Sequence, residues 1–164
     1  MKRKRKKSIN ILDILRYFIV ILFIIYIVIL KTSKGANNIP VKTIEKNILQ
    51  VAATDEMKKG STQDLKRLYG LNANDYDGTM LYIPTDIMSV NEIIVIKLKD
   101  SAQFDSVEKA LKNRIDTQLQ NFDGYGVEQT KLINSAIIET KGNYMLMAIA
   151  DNVDDIYKAF KKSL

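Results

Sequence analysis

An uninterrupted apolar run from Tyr17 to Leu30, preceded by the cationic cluster KRKRKK at residues 2–7, limits what this chain can become more than any other feature. A cationic cluster followed by such a run reads as a membrane-insertion element whose positive end stays in the cytoplasm, leaving the remaining chain outside. The run's 14 residues make about 21 Å of helix, short of the roughly 30 Å of hydrocarbon to be crossed. Counting from Ile9 to Leu30 gives 22 residues and about 33 Å. Asp13 and Arg16 then fall near the cytoplasmic interface, where a long side chain can snorkel. Tyr17, Phe18 and Lys31 mark the boundaries. The expected organisation is a cytoplasmic basic leader at 1–8, a transmembrane signal anchor at 9–30, a linker at 31–40 and an extracytoplasmic domain at 41–164.

A cleaved signal peptide is the rival reading, because 14 apolar residues also suit a removable core and Ser33-Lys34-Gly35 offers a weak small-x-small site. The uncleaved anchor is favoured: the run is unusually rich in Ile, and lysines at Lys31 and Lys34 flank the site. A lipoprotein is excluded, since there is no cysteine to acylate.

The formal net charge of +6 invites a nucleic-acid reading, and the position of the charge removes it. Residues 1–30 carry seven basic groups and one acid, whereas residues 31–164 carry 18 of each sign. The surplus sits wholly in the leader, so the domain has no basic footprint for a phosphate backbone and nucleic acid is no partner. The lipid bilayer is the expected partner of residues 9–30, with an envelope protein or wall polymer as a further one. With no cysteine and no histidine, thiolate or imidazole ligation and every Ser-His or Cys-His arrangement are unavailable. No catalytic motif stands out. The chain reads as a non-enzyme, with no cofactor and no metal site.

Along the exported part, VKTIEKNILQVA places Val41, Ile44, Ile48 and Val51 at helical spacing, predicting a helix from about Pro40 to Ala52. Gly60 breaks the chain. STQDLKRLY forms a helix capped by Ser61 or Thr62 and stopped by Gly70. GTMLYIP at 78–84 and NEIIVIKLK at 91–99 are expected to be neighbouring strands. A long helix opens at Asp100 or Ser101 and ends near Asn121, and VEQTKLIN at 127–134 makes another helix. Gly142-Asn143 links two strand runs as a hairpin turn. The C-terminal helix, capped by Asp151 or Asn152, has Val153, Ile156, Tyr157, Phe160 and Leu164 on one face. This order predicts an α+β domain with a mostly antiparallel sheet of about four strands covered by helices, preceded by one N-terminal transmembrane helix.

Two polar residues interrupt the oily stripe of the long helix. Phe104, Val107, Leu111, Ile115 and Phe122 fall within a narrow arc at 100° per residue, with Gln118 near its middle and Arg114 at its edge, one turn earlier. Arg114 and Gln118 either tie down the carbonyls of a nearby loop such as FDGYG, or floor a polar pocket with Tyr125 and Gln129. Tyr125, between Gly124 and Gly126, is either a presented contact or a lid folded onto the core. NANDYDG fails as a calcium loop: Ala73 stands where the first ligand belongs, and no glutamate follows at the twelfth position. The carboxylate pairs Asp55 and Glu56, or Asp123 and Glu128, are indistinguishable by spacing from ordinary loop acids.

In DEM at 55–57, LKRLYGLNANDYDG at 65–78, KLKD at 97–100, RIDTQLQNFDGYGVEQ at 114–129 and KGNYMLMAIAD at 141–151, the chain resembles the DUF4358 family of membrane-anchored or lipoprotein-type exported bacterial proteins. The resemblance implies an exported domain of Gram-positive-type bacteria with no established activity. It also implies an accessory part in modifying cell-envelope polymers, alongside membrane O-acyltransferases. Where many relatives carry a lipidated cysteine, this chain has a hydrophobic segment.

Together these features predict a single-pass, membrane-anchored binding or accessory module of the cell envelope, N-terminus inside and domain outside. The alternative is an envelope hydrolase or acyl-transfer enzyme using carboxylate or serine chemistry.

Overall fold

The computed structural model describes residues 11–35 and 38–164; the basic leader at 1–8 lies outside them. The chain divides into two compact units, 1–35 and 36–164. In the first, one helix, α1, spans Ile11–Gly35. Helical backbone therefore includes KTSKG, which the sequence assigned to an irregular linker. Side chains are described for residues 15–27, and all are exposed. Among the described residues no helix is long and apolar enough to cross a membrane.

The second unit is built on a five-stranded, wholly antiparallel sheet of order β1-β2-β3-β5-β4. Its strands are β1 Met57–Lys59, β2 Gly78–Pro84, β3 Glu92–Lys97, β4 Ile137–Lys141 and β5 Tyr144–Ile149. Helices α2 (Val41–Leu49) and α6 (Val153–Ser163) cover one face, while α3 (Thr62–Tyr69), α4 (Phe104–Phe122) and α5 (Val127–Asn134) cover the other. Alternation along the strands divides the core accordingly. Ile93 and Val95 of β3 with Leu146 and Ala148 of β5 face α2 and α6; Ile94 and Ile96 with Met145 and Met147 face the other three helices. Every residue of β3 and β5 is buried, so these central strands show a continuous apolar run instead of an oily-polar alternation.

Most local signals act as expected. β2 and β3 pair directly, and Lys141 faces Tyr144 across a two-residue turn in which Gly142 takes φ 60°. Ser61 caps α3 in a reciprocal arrangement with Asp64, and Gly70 closes the helix at φ 69°. Three expectations are corrected. The sheet has five strands, not about four, because Met57–Lys59 pairs with Tyr82–Pro84; three residues, two of them lysines, carry no periodicity to read. The following Gly60 lets the chain pass close to β2, since a Cβ there would lie 2.6 Å from the Leu81 side chain. Helix α2 stops at Leu49, short of Ala52, and leaves Val51 exposed. In α4 the buried stripe is Val107, Leu111, Arg114, Gln118 and Phe122. Arg114, at the edge of the arc as expected, is buried with the stripe, and Ile115 is only partly buried.

Candidate functional site

Glu92 begins β3 on the face carrying Ile94 and Ile96, so the alternation that buries those residues also carries a carboxylate under α4. It is fully buried, and a lone buried carboxylate is strongly unfavourable unless paired. Arg114 supplies the pair: Nε donates to both carboxylate oxygens at 3.1 Å and Nη2 to Oε2 at 2.7 Å. Gln118 Nε2 donates to Oε2 at 3.0 Å and the Tyr69 hydroxyl, from α3, to Oε1 at 2.5 Å. Burial opposes the Arg114 cation, but Glu92's hydrogen bonds and charge outweigh it and hold the guanidinium above its usual pKa. Burial, followed by the charge of Glu92, pushes the Tyr69 phenol well above its usual range. Both carboxylate oxygens are occupied by donors and sealed from solvent, so the group acts as a buried tie between β3, α3 and α4.

Of the four residues singled out from sequence, the structure brings Arg114 and Gln118 together, on Glu92 rather than on carbonyls of the FDGYG loop. Tyr125 lies elsewhere. It is 65% exposed, with its ring tilted against Phe122 at 5.8 Å and its hydroxyl donating to the Asn121 carbonyl. Gln129 also lies apart and fastens a different loop, donating to the Met88 carbonyl at 3.1 Å. Sequence reasoning missed Glu92. A signal was available: its spacing to Ile94 and Ile96 puts it on a buried face opposite a helix carrying an equally misplaced arginine.

Gln129 belongs to a surface cleft of about 210 Å³ at the Pro84, Glu92 and Ile149 end of the sheet. Loop 85–91 forms one wall and α5 the other, with Glu56, Asn91, Glu128, Leu132 and Asp151 among the lining. The loop is held from below: Ser89 Oγ and Asn91 Nδ2 donate to Glu56 Oε2 at 3.2 and 2.9 Å, and Thr85 N donates to the Glu56 carbonyl at 2.9 Å. The lining contains three carboxylates and no lysine or arginine. Glu128 and Asp151 have no ion-pair partner among the described residues. Beside the cleft, Ile87 and Val127 are 91% and 77% exposed, and Met88 is exposed as well. Among the described residues no cluster of three or more acids could hold a metal ion.

The chain enters this unit at the opposite end. The Tyr144 hydroxyl donates to the Ile39 carbonyl at 2.6 Å, and Tyr144 pairs with Lys97 and Lys141 at the far ends of their strands. The length of β3, roughly 17 Å at the usual rise per residue, separates that point from the cleft.

Residues 50–150 match the family described as Domain of unknown function (DUF4358). The chain belongs to the DUF4358 family. No curated protein and no solved structure matches it. The DUF4358 stretch takes in all five strands, α3 to α5, the whole Glu92 network and the cleft apart from Asp151, and leaves α2 and α6 outside.

Proposed function

We propose that this DUF4358 protein is a membrane-tethered, extracytoplasmic binding or accessory module of the cell envelope, and that its working surface is the cleft end of the domain. The tether is the segment 9–30, with the basic leader inside the cell and residues 41–164 outside. The KRKRKK cluster, the apolar run and the exposed side chains of residues 15–27 support this. One observation carries the functional reading. Large apolar side chains at Ile87, Met88 and Val127 stand open to solvent beside an acidic cleft, at the end of the unit remote from where the chain enters. A patch of this kind on a folded surface marks an interaction site.

The test is substitution of Ile87→Asp with Val127→Asp. A working surface loses function in cells while protein level and melting temperature hold. Full function in the double variant overturns the reading. Membrane topology is tested separately with an impermeant protease on intact, wall-stripped cells, which should destroy a C-terminal epitope; survival of that epitope rules out the external placement.

One contact favours a second reading, an envelope hydrolase or acyl-transfer enzyme: the Ser89 hydroxyl lies in the cleft, hydrogen-bonded to the carboxylate of Glu56. Turnover of wall-polymer esters, abolished by Ser89→Ala, would select it over the binding module.

A further inference from the structure

The surface beside the cleft has two independent properties, and together they restrict what can dock there. Ile87 and Val127 offer apolar area that is largely uncovered within the domain, and Met88 is half-exposed beside them. Loop 85–91 and α5, which carry them, are joined by the Gln129 to Met88 hydrogen bond and so form one surface. The charge beside that area has a single sign: Glu56, Glu128 and Asp151 line the cleft with no cation among them. Its volume of about 210 Å³ is below the roughly 300–1,000 Å³ of pockets that enclose a whole small ligand. It suits a single inserted side chain.

We infer that the occupant is a polypeptide segment of a partner protein, presenting a lysine or arginine to the cleft and apolar side chains to Ile87, Met88 and Val127. The inference rests on the reading of this end as the working surface and names the chemistry of its partner. A phosphate-bearing wall polymer or an anionic lipid surface would bring negative charge against three carboxylates, an arrangement that opposes association. A small polyamine would satisfy the charge but leave the apolar area in water. An apolar side chain beside a cation satisfies both. The loop needs no large rearrangement to receive it, since Glu56 already holds its two ends, at Thr85 and Asn91, and Gln129 its middle, at Met88.

The experiment uses the full chain in its native membrane, with a photocrosslinking phenylalanine analogue placed at Ile87 or at Val127 and the captured material sequenced by mass spectrometry. The expected product is a peptide from another protein with a lysine or arginine within a few residues of an apolar side chain. Glu56→Lys with Glu128→Lys should lower its yield at least tenfold, and reversing the partner's cation to glutamate should restore it. Melting temperature checks that each variant folds. Capture of a glycan, a lipid or an acidic segment overturns the inferred partner while leaving a binding role standing. A yield indifferent to the double charge reversal overturns it too. No product at either position, together with an Ile87→Asp, Val127→Asp variant that works normally, removes the binding role itself.

Discussion

Glu92 accepts hydrogen bonds from three side chains on two helices, so a fault at any of them is felt by a charge that has no access to water. Arg114→Ala leaves the carboxylate buried and unpaired and should destabilise the domain by about 3–5 kcal/mol, read from denaturant unfolding. Replacing the group together, Glu92→Leu with Arg114→Met, Gln118→Leu and Tyr69→Phe, removes the charge along with its partners. That quadruple variant should come within about 2 kcal/mol of the natural chain or exceed it. If it is as unstable as Arg114→Ala, the network stabilises by something other than mutual neutralisation. Tyr69 adds a pH dependence. Burial raises its folded pKa above the unfolded value, as it does for Tyr76, Tyr82 and Tyr144. Near pH 10 and above, the unfolded chain releases phenolic protons that the folded chain retains, so the stability from these groups is complete below pH 10 and lost as pH rises beyond it. Thermal melts between pH 8 and 12 should show that decline. Tyr69→Phe should be less stable at pH 8 by about 1.5–3 kcal/mol, from loss of a hydrogen bond to a charged acceptor, and its alkaline decline shallower.

At the scale of elements, both ends of α3 were legible because their signals are local. Ser61, Asp64 and Gly70 of α3 act within one turn of one another, with Ser61 Oγ accepting from Asp64 N at 3.1 Å and Asp64 Oδ2 from Ser61 N at 2.9 Å. The hydrogen bonds from Ser61's backbone, then Arg67 and the Ser61 side chain, hold the Asp64 carboxyl well below the usual carboxylate range. Ser61→Ala should lower stability by about 1 kcal/mol, visible as a shift in urea midpoint with unchanged slope. Strand β1 was not legible. Its residues Met57-Lys58-Lys59 become a strand only because β2 offers an edge at Tyr82–Pro84. Short, lysine-bearing β1 also closes that edge of the sheet to further pairing. The candidate site divides in the same way. The misplaced polarity of Arg114 and Gln118 could be seen in the helical period, whereas the cleft joins Glu56, loop 85–91 and Glu128, which are far apart in sequence.

For the whole molecule, the sheet buries both faces, and the two cores depend on different helices. The DUF4358 stretch ends at residue 150, before α6, yet Ile156 and Phe160 of α6 are fully buried on the face of Ile93, Val95 and Leu146. A chain ended after Ala150 therefore exposes a wide apolar face and should lose cooperative unfolding, which calorimetry would show as a missing transition. A sharp transition near the natural midpoint would mean that the α3 to α5 face suffices. What the sequence determined by itself was the order of the longer helices and strands, the cap and stop of α3, the hairpin at Gly142-Asn143 and the family, because propensity, periodicity and short motifs act over a few residues. The expected cap of α6 is not realised, since the Asn152 side chain donates to the Val51 carbonyl instead. Tertiary structure alone decided the fifth strand, the assignment of helices to the two faces, the pairing of Arg114 with Glu92 and the assembly of the cleft. Each of those depends on contacts between segments distant in the chain, whose energies no local pattern encodes.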